Sequence, residues 1–66
     1  MKNYLRIERN HKGLTQIELA ELVNVSRQSI ISIESNRYMP SILLSLKIAK
    51  ALGKRVEDLF ELEESD

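Results

Sequence analysis

Residues 15–36, TQIELAELVNVSRQSIISIESN, constrain the fold of this chain more than any other stretch. Leu19, Val23, Val25, Ile30 and Ile33 fall where two short helices, meeting at an angle around a tight turn, must bury side chains. Ala20 stands at their closest approach, where a larger side chain would push them apart. Asn24 takes the turn, which needs a residue that tolerates positive φ. Ser26 is placed as N-cap of the second helix, directly before the polar run Arg27-Gln28-Ser29. That helix is therefore apolar on its hidden side and polar at its exposed N-terminal end.

The rest of the chain supplies the frame. A first helix is expected from about Asn3 to His11, with Leu5 in the core and Gly13 as its stop. Thr15 caps a second helix that runs to about Leu22, and Glu18 completes a capping box. The third runs from Arg27 to about Glu34. The linker 35–40 cannot continue it, because Pro40 pushes the residue before it out of the α region. Ser41 caps a fourth helix that ends at Gly53, and a last helical turn covers about Val56–Phe60. Lys54-Arg55 offers no small or capping residue before that turn, so a looser start is expected there.

Two segments carry open alternatives. Phe60-Glu61-Leu62-Glu63 alternates apolar and acidic, a strand period, and the chain start around Lys2–Tyr4 is a candidate pairing edge. A frayed tail is the other reading. Ile42, Leu43, Leu44, Leu46, Ile48, Ala49, Ala51 and Leu52 cover most of the fourth helix's circumference. Either it is a central helix surrounded by neighbours, or one side, including Leu43, meets a second subunit. The fold class read from these elements is all-α, five helices with an optional short C-terminal strand.

The chain has 66 residues, enough for one domain. A domain of this size buries only about 60% of its unfolded surface and gains from a partner subunit. There is no cysteine and His11 is the only histidine, so no thiolate or ordinary zinc site is expected. With no Ser/His/Asp set and no Gly-rich phosphate loop, neither an enzyme nor a cofactor is expected. No apolar run approaches the ~20 residues of a membrane span, and a cytoplasmic location is expected. The zero net charge is unevenly spread: residues 1–56 hold ten basic and four acidic side chains, a balance of +6. Residues 57–66 hold the remaining six acids, a balance of −6. That acidic end is either a solvated tail or a segment held away from an anionic partner, and the two are compatible.

Double-stranded DNA is the partner that the second helix of the pair suits. Arg27, Gln28 and Ser32 share its exposed face. Arg pairs with guanine O6 and N7, and Gln with adenine N6 and N7, each pair discriminating by about 1–3 kcal/mol. Ile31 beside them suits a thymine methyl, or else packs against the core or a neighbour. For phosphates, Gln16 opens a helix whose free N–H groups favour an anion, and Ser26 opens the next. Asn36, Arg37 and Tyr38 follow the third helix and suit the same role, with packing against Pro40 as the alternative for Tyr38. Such contacts set register without reading sequence. Arg9 and Glu34 are placed to pair between the first and third helices.

With LTQIELAELVNVSRQSI, IESNRYMPS, LKIAKALG and VEDLF in order, the chain resembles the lambda-repressor/Cro-like helix-turn-helix family, also called the XRE family. The resemblance covers nearly the whole chain and is nearest to short stand-alone members. It implies a five-helix lambda-repressor-like domain and a homodimeric transcriptional regulator, most often a repressor on a palindromic operator. It matches Gln16, Arg27, Gln28, Ser32, Asn36 and Arg37 to DNA-contacting positions, and Arg9 with Glu34 to a buried salt bridge. Leu43, Val56, Leu59, Phe60 and Leu62 are the candidates for a dimer interface. Asn24 and Asn36 replace glycines common in the family, Ser45 replaces an alanine, and Ile31 replaces a small polar residue. A protein-interaction module, antitoxin-like and working through Phe60 and Leu62, is the alternative.

Overall fold

A computed structural model describes residues Met1–Asp66. The elements run β1 (Lys2–Asn3), α1 (Leu5–His11), α2 (Gln16–Val23), α3 (Arg27–Glu34), α4 (Ile42–Leu52), α5 (Val56–Leu59) and β2 (Phe60–Glu61). α2 packs against both α3 and α4, and α4 carries α5 at its far end. Leu5, Leu19, Ile30, Ile33, Ile48 and Leu59 are fully buried at the centre, one or two from each helix. Ala20 is buried between them, as its small size at the α2–α3 crossing requires.

Local chemistry sets the helix ends. The Thr15 hydroxyl accepts from the Glu18 amide at 3.1 Å, and the Glu18 carboxylate accepts from the Thr15 amide at 2.9 Å. Thr15 donating to the carboxylate, its backbone amide first and then its side chain, holds the Glu18 carboxyl below its ordinary range. Asn24 ends α2 in the left-handed region at φ 63°, and Asn36 does the same after α3 at φ 61°. Both are residue types that bear this geometry at little cost. Ser26 caps α3 and Ser41 caps α4, each accepting from the amide three residues on, at 3.2 and 3.1 Å. Gly53 closes α4 at φ 65°.

Several expectations need correction. α1 begins at Leu5, because Asn3 belongs to β1. The Asn3 carboxamide oxygen accepts from the Leu5 amide at 2.9 Å, and its NH2 donates to the Ile33 carbonyl. Asn3 thus ties the strand to the starts of α1 and the end of α3. The strand reading of the C-terminal segment holds over a shorter span: β2 pairs antiparallel with β1, Lys2 against Glu61 and Asn3 against Phe60. α5 stops at Leu59, because Phe60 is already extended. Its start is not loose, since Asp58 reaches back to accept from the Arg55 amide at 3.0 Å. Val25 is only half-buried.

Leu59 is the clearest reversal. It was a dimer-interface candidate, yet it is completely buried in the core, where no second subunit can reach it. α4 is not surrounded either. Ile42, Leu43 and Leu46 lie exposed on its outer face, followed along the same face by the exposed Lys47 and Lys50.

Candidate nucleic-acid interface

α3 is held by its apolar side and free at its tip. Ile30 and Ile33 are fully buried, while Arg27 and Gln28 in the first turn are exposed. One turn on, Ile31 and Ser32 are half-buried, so they form a recessed second row behind the first. The Ser26 and Ser29 hydroxyls lie 3.1 Å apart beside the cap, which stiffens the helix start. Arg27 has no acidic partner within 4.0 Å, and neither has Arg37. Their charges remain free for an anion.

Behind α3 lies a polar network centred on Glu34, whose side chain is fully covered. Arg9 Nε donates to one carboxylate oxygen at 2.6 Å, and Arg9 Nη2 donates to the other at 3.3 Å. Arg9 Nη1 also donates to the Leu14 carbonyl at 2.8 Å, so the guanidinium joins α1, α3 and the loop before α2. Gln16 and Arg6 add donors to Glu34 at 3.2 and 3.5 Å. Burial pushes the Glu34 carboxyl up, but the bonds from Arg9 and Gln16 and the Arg9 charge outweigh it. The net result lies below the ordinary glutamate range.

This network decides where Gln16 points. Its side-chain NH2 is engaged with Glu34 in the free chain, although its position at the first turn of α2 leaves backbone N–H groups unsatisfied beside it. A groove of about 250 Å³ opens there, lined by Arg9, Thr15, Gln16, Ile17 and Arg27. The structure therefore brings Gln16 and Arg27 to one groove. Ser26 stands exposed just before Arg27. Asn36, Arg37 and Tyr38 are exposed beyond the far end of α3, where the Arg37 and Tyr38 amides turn back to the Ser32 carbonyl. Asn36 and Tyr38 share a separate shallow groove with Met39, Pro40 and Phe60. Arg6 and Ile17 join this surface without having been singled out in the sequence. The signal for Arg6 was its spacing, three residues before Arg9 and so on the same helix face. Nothing local marked Ile17.

The remaining candidates gather elsewhere. Val56, Phe60 and Leu62 line a groove of about 560 Å³ together with Met1, Glu57 and Glu61. Leu62 is 77% exposed and Leu43 64%. Part of the acidic end is neutralised within the chain: Glu63 and Asp66 lie 2.9 and 3.2 Å from the Met1 amino group. Lys2 lies 3.6 Å from Glu61. No helix is long and apolar enough to cross a membrane.

Comparison with known proteins bears on the same segments. The helix-turn-helix family profile matches residues 5–59, from the first residue of α1 to the last of α5. An HTH-type transcriptional regulator of Methanothermobacter thermautotrophicus is 51% identical over 65 residues, covering 97% of this chain and 94% of that protein. The immunity repressor protein of Bacillus phage phi105 is 44% identical over 48 residues, 73% of this chain but only 33% of the repressor. Among solved structures, the restriction-modification controller protein C.AhdI of Aeromonas hydrophila superposes with a TM-score of 0.79 at 36% identity. That superposition covers 85% of both chains. The buried pair behind α3, the capped turn before it, the family profile and the length shared with the Methanothermobacter and Aeromonas proteins agree: the chain belongs to the helix-turn-helix family and is a DNA-binding transcriptional regulator, not an enzyme.

Proposed function

We propose that the chain is a homodimeric repressor that binds a palindromic operator with α3 in the major groove. The observation that carries this reading is the tip of α3. Arg27 and Gln28 are exposed and unpaired there, on a helix whose other side is locked into the core. Arg27 and Gln28 read bases, with Ser32 and Ile31 in the second row following the groove floor. Gln16, Ser26, Asn36, Arg37 and Tyr38 take phosphates on either side and fix the register. The two-fold contact uses Leu43, Val56, Phe60 and Leu62, and sets two α3 helices about 34 Å apart, one DNA turn. Repression then follows from occupying the site where polymerase must bind, with no small-molecule ligand required. The phage relative is itself named a repressor, which supports that sign of regulation.

Salt titration of binding to a palindromic site tests this. The logarithm of the association constant should fall linearly with the logarithm of salt concentration, by about 0.9 for each phosphate neutralised. Arg27→Ala should weaken specific binding by about 1–3 kcal/mol, roughly fivefold to 150-fold, while leaving the folded state intact. Affinity that stays flat as salt rises contradicts the reading.

A further inference from the structure

Leu22 is 61% exposed at the C-terminal end of α2, about 9 Å along the helix from Gln16. It forms a ridge between two grooves of opposite charge. On one side Leu14, Glu18, Glu21 and Leu22 line a groove of about 410 Å³. On the other, Leu22, Val23, Asn24, Lys47, Lys50 and Ala51 line one of about 460 Å³. Lys47 and Lys50 are three residues apart on the outer face of α4, so they act together. Glu21, Lys47 and Lys50 have no oppositely charged partner within 4.0 Å in the chain.

We propose that the Leu22 surface is a self-complementary contact between two copies of this chain, separate from the face formed by Val56 and Phe60. A two-fold axis beside Leu22 places the acidic half of each copy against the basic half of the other. Each Leu22 then enters the apolar floor between Val23 and Ala51 of the opposing copy. An isologous contact requires this self-complementarity, and neither half of the surface finds its complement within a single chain. The patch is small beside the roughly 800 Å² per partner of a standard interface, so the contact is weak in free solution. It gains effect when two molecules are held on neighbouring DNA sites at high effective concentration. The function is to couple one bound regulator to the next.

The contact itself does not rest on the operator reading, and its sedimentation test is run without DNA; binding to a single DNA site serves as the counter-test. Sedimentation velocity of the full chain over a protein concentration series at low salt reads the association. Glu21→Lys alone should weaken it about tenfold or more, and so should Lys47→Glu combined with Lys50→Glu, since each brings like charges together. All three substitutions together should restore it, because the charges are exchanged. Leu22→Ser, which leaves every charge in place, should also weaken it. Thermal melts of each variant separate loss of association from loss of fold. The proposal is overturned if the wild type shows no association that these substitutions reduce, or if the triple variant fails to recover it. It is equally overturned if reversing Lys47 and Lys50 lowers affinity for a single DNA site while self-association is unchanged. The lysines would then serve the phosphate backbone.

Discussion

Glu34 is a charge with no access to water, and the way it is compensated explains how α3 is aimed. A carboxylate in that position is tolerable only with several donors, and Arg9, Gln16 and Arg6 supply them. Arg9→Ala should therefore cost about 3–5 kcal/mol, since it leaves the Glu34 charge buried without its main partner. A chain of this length has roughly 3–10 kcal/mol to lose, so urea unfolding should show this variant partly or wholly unfolded. Replacing both partners with apolar residues, Arg9→Met with Glu34→Leu, should cost less than the single change. The pH dependence follows from the lowered Glu34 pKa. A depressed carboxyl contributes stability that is present above the unfolded glutamate's pKa, about 4.3, and is lost as pH falls through the folded value. Melting temperatures between pH 6 and pH 3 should drop more steeply for the wild type than for Glu34→Gln. The Arg9–Glu34 pair was legible in the sequence because it joins the faces that two helices must bring together. The engagement of Gln16 with Glu34 was not. Eighteen residues separate them, and no local pattern says which way a long polar side chain turns.

Among the elements, the helix ends were read best, because capping depends on residues within one turn of each other. Thr15, Ser26 and Ser41 all cap as their types predict. The turns also hold to side-chain chemistry. Asn24→Gly should leave stability near that of the wild type, since φ 63° suits glycine at least as well. Asn24→Ile should cost about 1–2 kcal/mol or more in chemical denaturation, because a β-branched residue resists the left-handed region. Equal stability of the two variants would show that the turn is not held where this account places it. The start of α1 was misread because Asn3, whose side chain accepts from the Leu5 amide just ahead of the helix, takes its other partner from Ile33, thirty residues away. Leu59 was misassigned for a related reason. Its neighbours Val56 and Phe60 are half-exposed, and only packing of α5 under α4 separates a buried leucine from a surface one in so short a helix.

At the scale of the whole molecule, the zero net charge hides a division of labour. The basic side chains left free include Arg27 and Arg37, whereas part of the acidic end is bound to the chain's own amino terminus and to Lys2. The radius of gyration, 10.9 Å, is close to the roughly 11 Å expected of a compact chain of this length. The acidic end is therefore folded onto the body and not extended from it. The family pattern made the helix-turn-helix legible, because its spacing of apolar residues, small residue, turn and cap has few other solutions. Surfaces between copies were not legible to the same degree. Leu43 and Leu62 were marked as interface candidates, but Leu22 looks like a core residue in sequence until the fold shows nothing covering it.

In the proposed function, the tip of α3 reads DNA as a two-fold pair. Selection of bound sites from random-sequence DNA by the full chain, repeated with Arg27→Ala, tests it directly. The wild type should enrich an inverted repeat whose half-sites are centred about one DNA turn apart. The Arg27→Ala variant should lose preference at one position in each half-site, and keep the others. Recovery of no common sequence, or of the same sequence by both proteins, would contradict the assignment of α3 as the reading helix.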